Sequence, residues 1–428
     1  MKSSKNHFLF CFCVIVLLTL PLAACTPQPT PTLPSASQTS QDTPAPDNGL
    51  SETAPPPDAN LSDGCVEDFS PNVDYFPDKA KISYATGFQV AYYNNYKVID
   101  VSQKQGDTLF EKQYVLVQCG TPAPQNIDPA SIIQIPVKNV VSMSTTHFPF
   151  LEEYGVLDRL VGIDDDAYVS NPTVLRMVQE GKVSIVGAGA GVNVEKLIEM
   201  QPDLIFAYST GIPNYDAFPK LINTRLKVAL VGEHTEATPL GRAEWGKYMA
   251  LFFNREETAE RAFSKTEQNY LNVVKAASQA RSNPTVFLNS VYQGTWYMAG
   301  GRSFMARLMA DAGADYLWKD DPASGSVTFS FEQVLEKAVN ADFWLPTTYW
   351  LTTADALKED ERYAKFKAFQ TGQIYNNNVR ISSGGGNDFY ESGTAHPDVV
   401  LADLVKIFHP DLLPEHTLVY FQILPTSP

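Results

Sequence analysis

The sequence predicts an α/β protein: two α/β lobes joined by one long backbone helix, with an antiparallel β extension on the N-terminal side. Three observations carry this. The stretch Val192-Asn-Val-Glu195-Lys-Leu-Ile-Glu-Met-Gln-Pro-Asp-Leu-Ile-Phe206 is echoed by Phe329-Ser-Phe-Glu332-Gln-Val-Leu-Glu-Lys-Ala-Val-Asn-Ala-Asp-Phe-Trp344. In each copy a glutamate stands near a helix start, apolar residues follow at helical spacing, and an Asp precedes a buried-strand run. Between the copies, Glu256 to Ala280 keeps Ala259, Ala262, Phe263, Tyr270, Val273, Val274 and Ala277 on an amphipathic pattern. A helix of that length spans roughly 38 Å, enough to bridge two lobes. Strand and helix signals alternate on both sides of it. Paired lobes enclose a cleft, and domain interfaces are favoured pocket positions.

Lys2 and Lys5 precede an apolar run from Phe8 to Leu20, too short for a typical spanning helix, so residues 1–24 are expected to form a signal peptide. The run closes on Leu22-Ala23-Ala24-Cys25, which resembles the bacterial lipobox; the resemblance implies lipid attachment at Cys25. Residues 25–64 follow as a tether. Up to Asp63 they contain no aromatic residue, Lys or Arg, so they can form no core, and Pro55-Pro56-Pro57 keeps them extended. Cys11 and Cys13 leave with the signal, so Cys65 and Cys119 remain in an oxidising compartment and are expected to pair, two free buried thiols being the alternative. No CxxC spacing marks a metal or redox site. The net charge of -16 argues against nucleic acid and favours solubility.

Residues 65–137 form the β-rich extension. Within it, 80–118 alternate around turn signals at Asn94-Asn95 and Gln105-Gly106-Asp107, an antiparallel meander whose Tyr pairs serve cross-strand packing. The N-terminal lobe, 138–253, begins with the strand Val140 to Met143 and a helix through Phe150 to Tyr154. Strands at Leu160 to Ile163 and Val183 to Val186 precede the first echo helix; strands at Leu204 to Ala207 and Val228 to Val231 precede a helix from Pro239 to Phe253. The bridging helix occupies 254–282. The C-terminal lobe, 283–428, repeats the grammar with a strand at Thr285 to Leu288, a helix near Ser303 to Ala312, the second echo, a strand at Asp342 to Leu345 and a helix near Pro397 to Phe408.

Over most of residues 138–415 the chain resembles the periplasmic binding proteins that serve ABC importers of iron-siderophores, haem and cobalamin. The residues that carry the resemblance are Val140-Val-Ser-Met-Ser-Thr-Thr146, Asn193 to Ile205, Pro239-Leu-Gly-Arg-Ala-Glu-Trp245, Asn387-Asp-Phe-Tyr-Glu-Ser-Gly393 and His396-Pro-Asp-Val-Val-Leu401. The resemblance implies two lobes on one long helix with limited hinge closure, no catalysis, and a permease with its ATPase as partner. It further implies that Glu195 and Glu332, one per lobe, dock on permease arginines. Two exposed carboxylates of this kind would orient docking electrostatically, although an acid near a helix N-terminus is also favoured by the macrodipole alone.

Ligands of open α/β sheets sit outside the carboxyl ends of the strands, which directs attention to the loops after Met143, Ile163, Val186, Ala207, Ser290, Pro346 and Ser382. From these come the cleft candidates Thr145, Thr146, His147, Tyr168, Tyr208, Tyr292, Trp296, Tyr297, Arg302, Tyr349, Trp350, Asn387, Phe389 and Tyr390. Aromatic walls with a few orienting polar groups suit a flat or greasy chelate. Arg302 can bind carboxylate or catecholate oxygens bidentately; Arg380 is second and is expected in an ion pair. The histidines show no metal-ligand spacing, Asp164-Asp165-Asp166 lacks the calcium-loop pattern, and Gly187-Ala-Gly-Ala-Gly191 is not the dinucleotide fingerprint. No GxSxG, HExxH or P-loop motif occurs, so no catalytic residue is assigned. The expected protein is a monomeric, lipid-anchored binder of a ferric siderophore-type chelate outside the membrane, without cofactor or nucleic acid. Cobalamin or haem is the alternative cargo; a free-metal binder and an extracellular hydrolase are the alternatives outside the class.

Overall fold

The computed structural model describes residues 57–105 and 108–426, so the signal segment, Cys25 and most of the tether lie outside the described residues. The extension forms one sheet of β1 (Phe88–Tyr92), β2 (Tyr96–Gln105), β3 (Thr108–Gln118) and β4 (Ile132–Ile135) in that spatial order. The first three strands are the antiparallel meander; β4 joins β3 in parallel, because residues 119–131 carry the chain back across the sheet before it pairs. Cys65 and Cys119 are disulfide-bonded and close this region.

The N-terminal lobe is a five-stranded parallel sheet of β5 (Val140–Ser142), β6 (Leu160–Ile163), β7 (Ser184–Ile185), β8 (Leu204–Ala207) and β9 (Val228–Leu230), ordered β7-β6-β5-β8-β9. Both β5 and β8 are buried along their whole length, which is why they read as continuous apolar runs without alternation. Strand order reverses between β5 and β8, the switch point at which such sheets open a crevice.

The C-terminal lobe contains β10 (Thr285–Leu288), β11 (Val291–Tyr292), β12 (Thr295–Ala299), β13 (Asp315–Tyr316), β14 (Ser326–Phe329), β15 (Phe343–Leu345), β16 (Tyr375–Asn376) and β17 (Gln422–Ile423). Its parallel centre is β13-β10-β15, while β11-β12-β14 form an antiparallel flap and β16 pairs with β17.

The echoed segments form helices Val194–Met200 and Phe331–Ala338. Asn193 caps the first, and Ser330 with Gln333 makes a capping box at the second, satisfying N–H groups that a helix start leaves open. Each helix leads directly into the amino end of a parallel strand, β8 or β15, so each begins near the carboxyl edge of its own sheet.

Two apolar cores result, and two helices enter both. Helix Pro239–Ala250 gives Trp245, Tyr248 and Met249 to the first core, and Leu240 and Ala243 to the second. The bridging helix, Glu256–Ala277, gives Ala259 to the first and Phe263, Tyr270 and Ala277 to the second. Its 22 residues span about 33 Å. The β extension shares the first core through Phe76, Phe88, Ile99 and Val101. Polar ties reinforce it: Glu244 accepts N–H bonds from Ser83, Tyr84 and Ala85, and the buried Lys97 ammonium pairs with Glu256 and donates to the Leu251 carbonyl at 2.9 Å.

Candidate functional site

The carboxyl ends of β5, β8 and β9 converge on the space between the lobes. After β5 the chain makes a turn, Thr145–His147, capped by Ser144. After β9 it makes a second turn, Glu233–Thr235. The Thr146 hydroxyl donates to Glu233 Oε1 at 2.8 Å and ties the two turns together. A cavity of about 200 Å³ opens there, lined by Thr146, Glu233, His234, Pro239 and Arg242 on one side and by Phe304, Leu308, Phe389, Tyr390, Gly393, Thr394, Pro397 and Val400 on the other.

Electrostatics at this end are unusual. Burial alone would raise the Glu233 carboxyl, but His234, His147 and the Thr146 hydroxyl outweigh it and hold the group at about 2, so it is ionised. Arg242 gives its Nε to the Glu236 carbonyl at 3.2 Å and an Nη2 to the His234 carbonyl at 2.6 Å. Its guanidinium lies 3.4 Å from the centre of the Phe304 ring, a cation–π contact across the lobes. Burial lowers it to about 10, still charged at neutral pH.

A second aromatic cavity of about 380 Å³ lies at the carboxyl ends of β10 and β15, where Tyr292, Tyr297, Tyr349 and Trp350 line it with Asn289 and Thr347. Tyr390 stands close to Thr347 and Tyr349 and so connects the two cavities. On the other lobe, exposed Tyr168 and Tyr215 and half-buried Tyr208 sit on the loops that follow β6 and β8. The loop after β7 packs closely on the loop after β8: at Gly189, where φ is +49°, an added Cβ would come 2.6 Å from the Asn214 carbonyl oxygen.

The fourteen candidates therefore divide. Thr146, Phe389 and Tyr390 line the inter-lobe cavity, and Tyr292, Tyr297, Tyr349 and Trp350 the aromatic one. Tyr168 and Tyr208 lie on the loops after β6 and β8 and line neither cavity, and Thr145 is half-buried in its turn. Trp296 must be withdrawn. It is 0% exposed, packs on Phe287, Phe331 and Trp344, and donates to the Leu288 carbonyl. Side chains alternate along β12, so the same geometry that exposes Tyr297 buries Trp296. His147 is withdrawn from direct contact too: at 1% exposure it faces inward and hydrogen-bonds Ser142. Asn387 spends its side chain on the cap of helix Asp388–Ala395. Arg302 is exposed beyond the cavity linings, and Arg380 is paired with Asp388 at 2.9 Å. Glu233, His234 as a cavity wall and Arg242 were not among the candidates. A signal for Glu233 and His234 exists in the sequence, since Val228 to Val231 reads as a strand and both residues follow its carboxyl end. Among the described residues no group of three His, Cys, Asp or Glu side chains is arranged to hold a metal ion.

Glu195 is exposed, and Glu332 is exposed while bound to Arg362 of its own lobe at 2.7 Å.

Two lobes on shared helices, with apolar cavities at facing strand ends, define a protein built to hold a small ligand between halves. Residues 140–377 match the family described as periplasmic binding protein, and the chain belongs to that family. It is a solute-binding protein and not an enzyme. An uncharacterized lipoprotein of Methanocaldococcus jannaschii is 30% identical over 309 residues, 66% of this chain and 68% of the relative. A second uncharacterized lipoprotein of that organism is 28% identical, covering 70% of this chain and 76% of its own. Among solved structures, a periplasmic heme binding protein from Pseudomonas aeruginosa aligns with a TM-score of 0.52 at 20% identity, covering 68% of this chain and 100% of that one. A periplasmic binding protein from Veillonella parvula aligns at 0.51 with 13% identity, covering 73% and 98%. At these identities the two structures speak for the fold alone.

Proposed function

We propose that this chain is a lipid-anchored, extracytoplasmic solute-binding protein that captures a ferric siderophore-type chelate between its lobes and delivers it to an ABC permease with its ATPase. The observation that carries the cargo class is the concentration of exposed aromatics around the mouths of both lobes: Tyr168, Tyr215 and Tyr349 on loops, Tyr292 and Tyr297 on the β11–β12 flap, and Tyr390 on helix Asp388–Ala395. Large exposed rings cost hydration free energy in the empty protein, and a ligand with flat or greasy faces recovers it. The same walls suit haem or cobalamin, the alternatives within the class. Anchoring at Cys25 rests on the Leu-Ala-Ala-Cys pattern and on the likeness to two proteins named lipoproteins. Docking through Glu195 and Glu332 rests on their exposure and on helix starts near the carboxyl edges of both sheets.

Tryptophan fluorescence tests the cargo. Trp350 lines the aromatic cavity beside Tyr349 and is the reporter. The mature domain is titrated with ferric hydroxamates, a ferric catecholate, ferric citrate, haem and cobalamin. Saturable sub-micromolar binding of a ferric chelate, weakened about tenfold or more by Tyr349→Ala with Tyr390→Ala, is the expected result, a loss of about 1.4 kcal/mol. Flat responses to all the chelates would sink the reading.

A further inference from the structure

Five segments close the carboxyl ends of the N-terminal-lobe strands: 143–148, 164–171, 186–193, 208–217 and 231–238. Together they hold Asp164, Asp165, Asp166, Asp216, Glu233 and Glu236 and not one Lys or Arg. Some of that charge is spent internally. Asp216 accepts from Ser209, Thr210 and Gly211 in its own loop, and Glu236 accepts from Thr86, Gly87 and Trp245.

Glu233 is different. It is 4% exposed and lines the inter-lobe cavity, and its Oε2 has no hydrogen-bond partner, His234 Nδ1 standing 4.0 Å away, beyond hydrogen-bond reach. A buried carboxylate oxygen left open costs free energy until a donor reaches it. Two further buried atoms, neither on a residue that lines the cavity, also lack a partner. Ser142 Oγ donates to the Ser144 carbonyl, so it accepts from His147 Nδ1–H, which leaves His147 Nε2 as a bare acceptor. Gln103, reaching in from the β extension, donates its Nε2 to the Ser209 carbonyl and keeps Oε1 unpartnered. The one cation of this cavity wall, Arg242, already donates to two carbonyls and is stacked on Phe304. With Arg242 so engaged, the open acceptor that the cavity wall offers a ligand is Glu233 Oε2.

We infer that Glu233 is the anionic anchor of the cleft and that the protein selects chelates bearing a cationic or N–H-donating arm over anionic ones. The inference rests on the chelate reading above and reverses the emphasis that the sequence places on Arg302.

The test compares three ferric probes on the intact mature domain, at low and high salt: a monocationic linear trihydroxamate with a free ammonium, a neutral cyclic trihydroxamate, and a trianionic tricatecholate. The cationic probe is expected to bind about tenfold tighter than the neutral one, with the advantage shrinking in salt, and the trianion is expected not to saturate. Glu233→Gln should bring the cationic probe to the affinity of the neutral one. Because that change also touches Thr146, Asp165→Asn with Asp166→Asn serves as a second, surface variant, expected to lower cationic affinity a few-fold. Equal or tighter binding of the trianion, or a cationic preference that survives in a Glu233→Gln protein of unchanged melting, overturns the inference and leaves the chelate reading standing. No saturation by any probe in a protein of normal melting overturns both.

Discussion

The Glu391 carboxylate, on helix Asp388–Ala395 of the C-terminal lobe, accepts a hydrogen bond from the Ser170 backbone N–H of the N-terminal lobe at 2.8 Å. Burial pushes this carboxyl up from its ordinary 4.5 to about 7, with Asp388 and Glu152 adding repulsion and the Ser170 and Asn171 N–H groups pulling the other way. The folded protein therefore keeps a proton that the unfolded chain has lost. Stability from this group is fully present below about 4.5 and is lost as pH rises through about 7, by up to about 3 kcal/mol. Glu391→Gln keeps an acceptor without the charge. It is expected to melt higher than the parent near pH 8, with the difference vanishing near pH 4; a constant difference across that range would contradict the assignment.

Lys97 and Glu256 form a fully buried pair that ties the β extension to the start of the bridging helix. Removing one member strands the other charge in the core. Lys97→Met should lower unfolding stability by about 3–5 kcal/mol in denaturant titration, whereas a loss near zero would mean that water or Asn254 compensates Glu256.

How much of this was legible in the sequence depends on what each residue had to show. The two glutamate-bearing helices and the bridging helix were legible because helical periodicity and capping residues such as Asn193 and Ser330 are local signals. Tyr292 and Tyr349, reached by counting from the ends of β10 and β15, line the aromatic cavity, while Tyr390 reaches the inter-lobe cavity from helix Asp388–Ala395. Trp296 lines neither, since adjacent residues of β12 point to opposite faces and its register is set by pairing with Phe329, thirty-odd residues away. Arg242 carries no local signal: it shares helix Pro239–Ala250 with Glu244 and Lys247, and only tertiary packing against Phe304 sets it apart as a cavity wall.

The disulfide between Cys65 and Cys119 closes a long loop, their sequence separation being 54. Replacing both cysteines with serine is expected to cost about 4 kcal/mol of unfolding free energy by loop-closure entropy. A loss under about 1 kcal/mol would show that the unfolded chain gains little freedom when the link is cut.

Docking predicts a separation of transport from affinity. Charge reversal at Glu195 together with Glu332 should abolish stimulation of the reconstituted permease ATPase while leaving chelate affinity within about twofold. Glu332 is held by Arg362, so its reversal alone also frees that arginine; Glu195→Arg is the cleaner single change. A fall in affinity would assign these residues to the fold or the pocket.

The central claim is that one ligand is held by both lobes at once. Hydrogen exchange with and without a saturating ferric chelate measures this directly. Slower exchange is expected in residues 208–217 and 231–238 of one lobe and in 289–297 and 346–352 of the other. Protection confined to a single lobe, or lying away from these loops, would contradict the account.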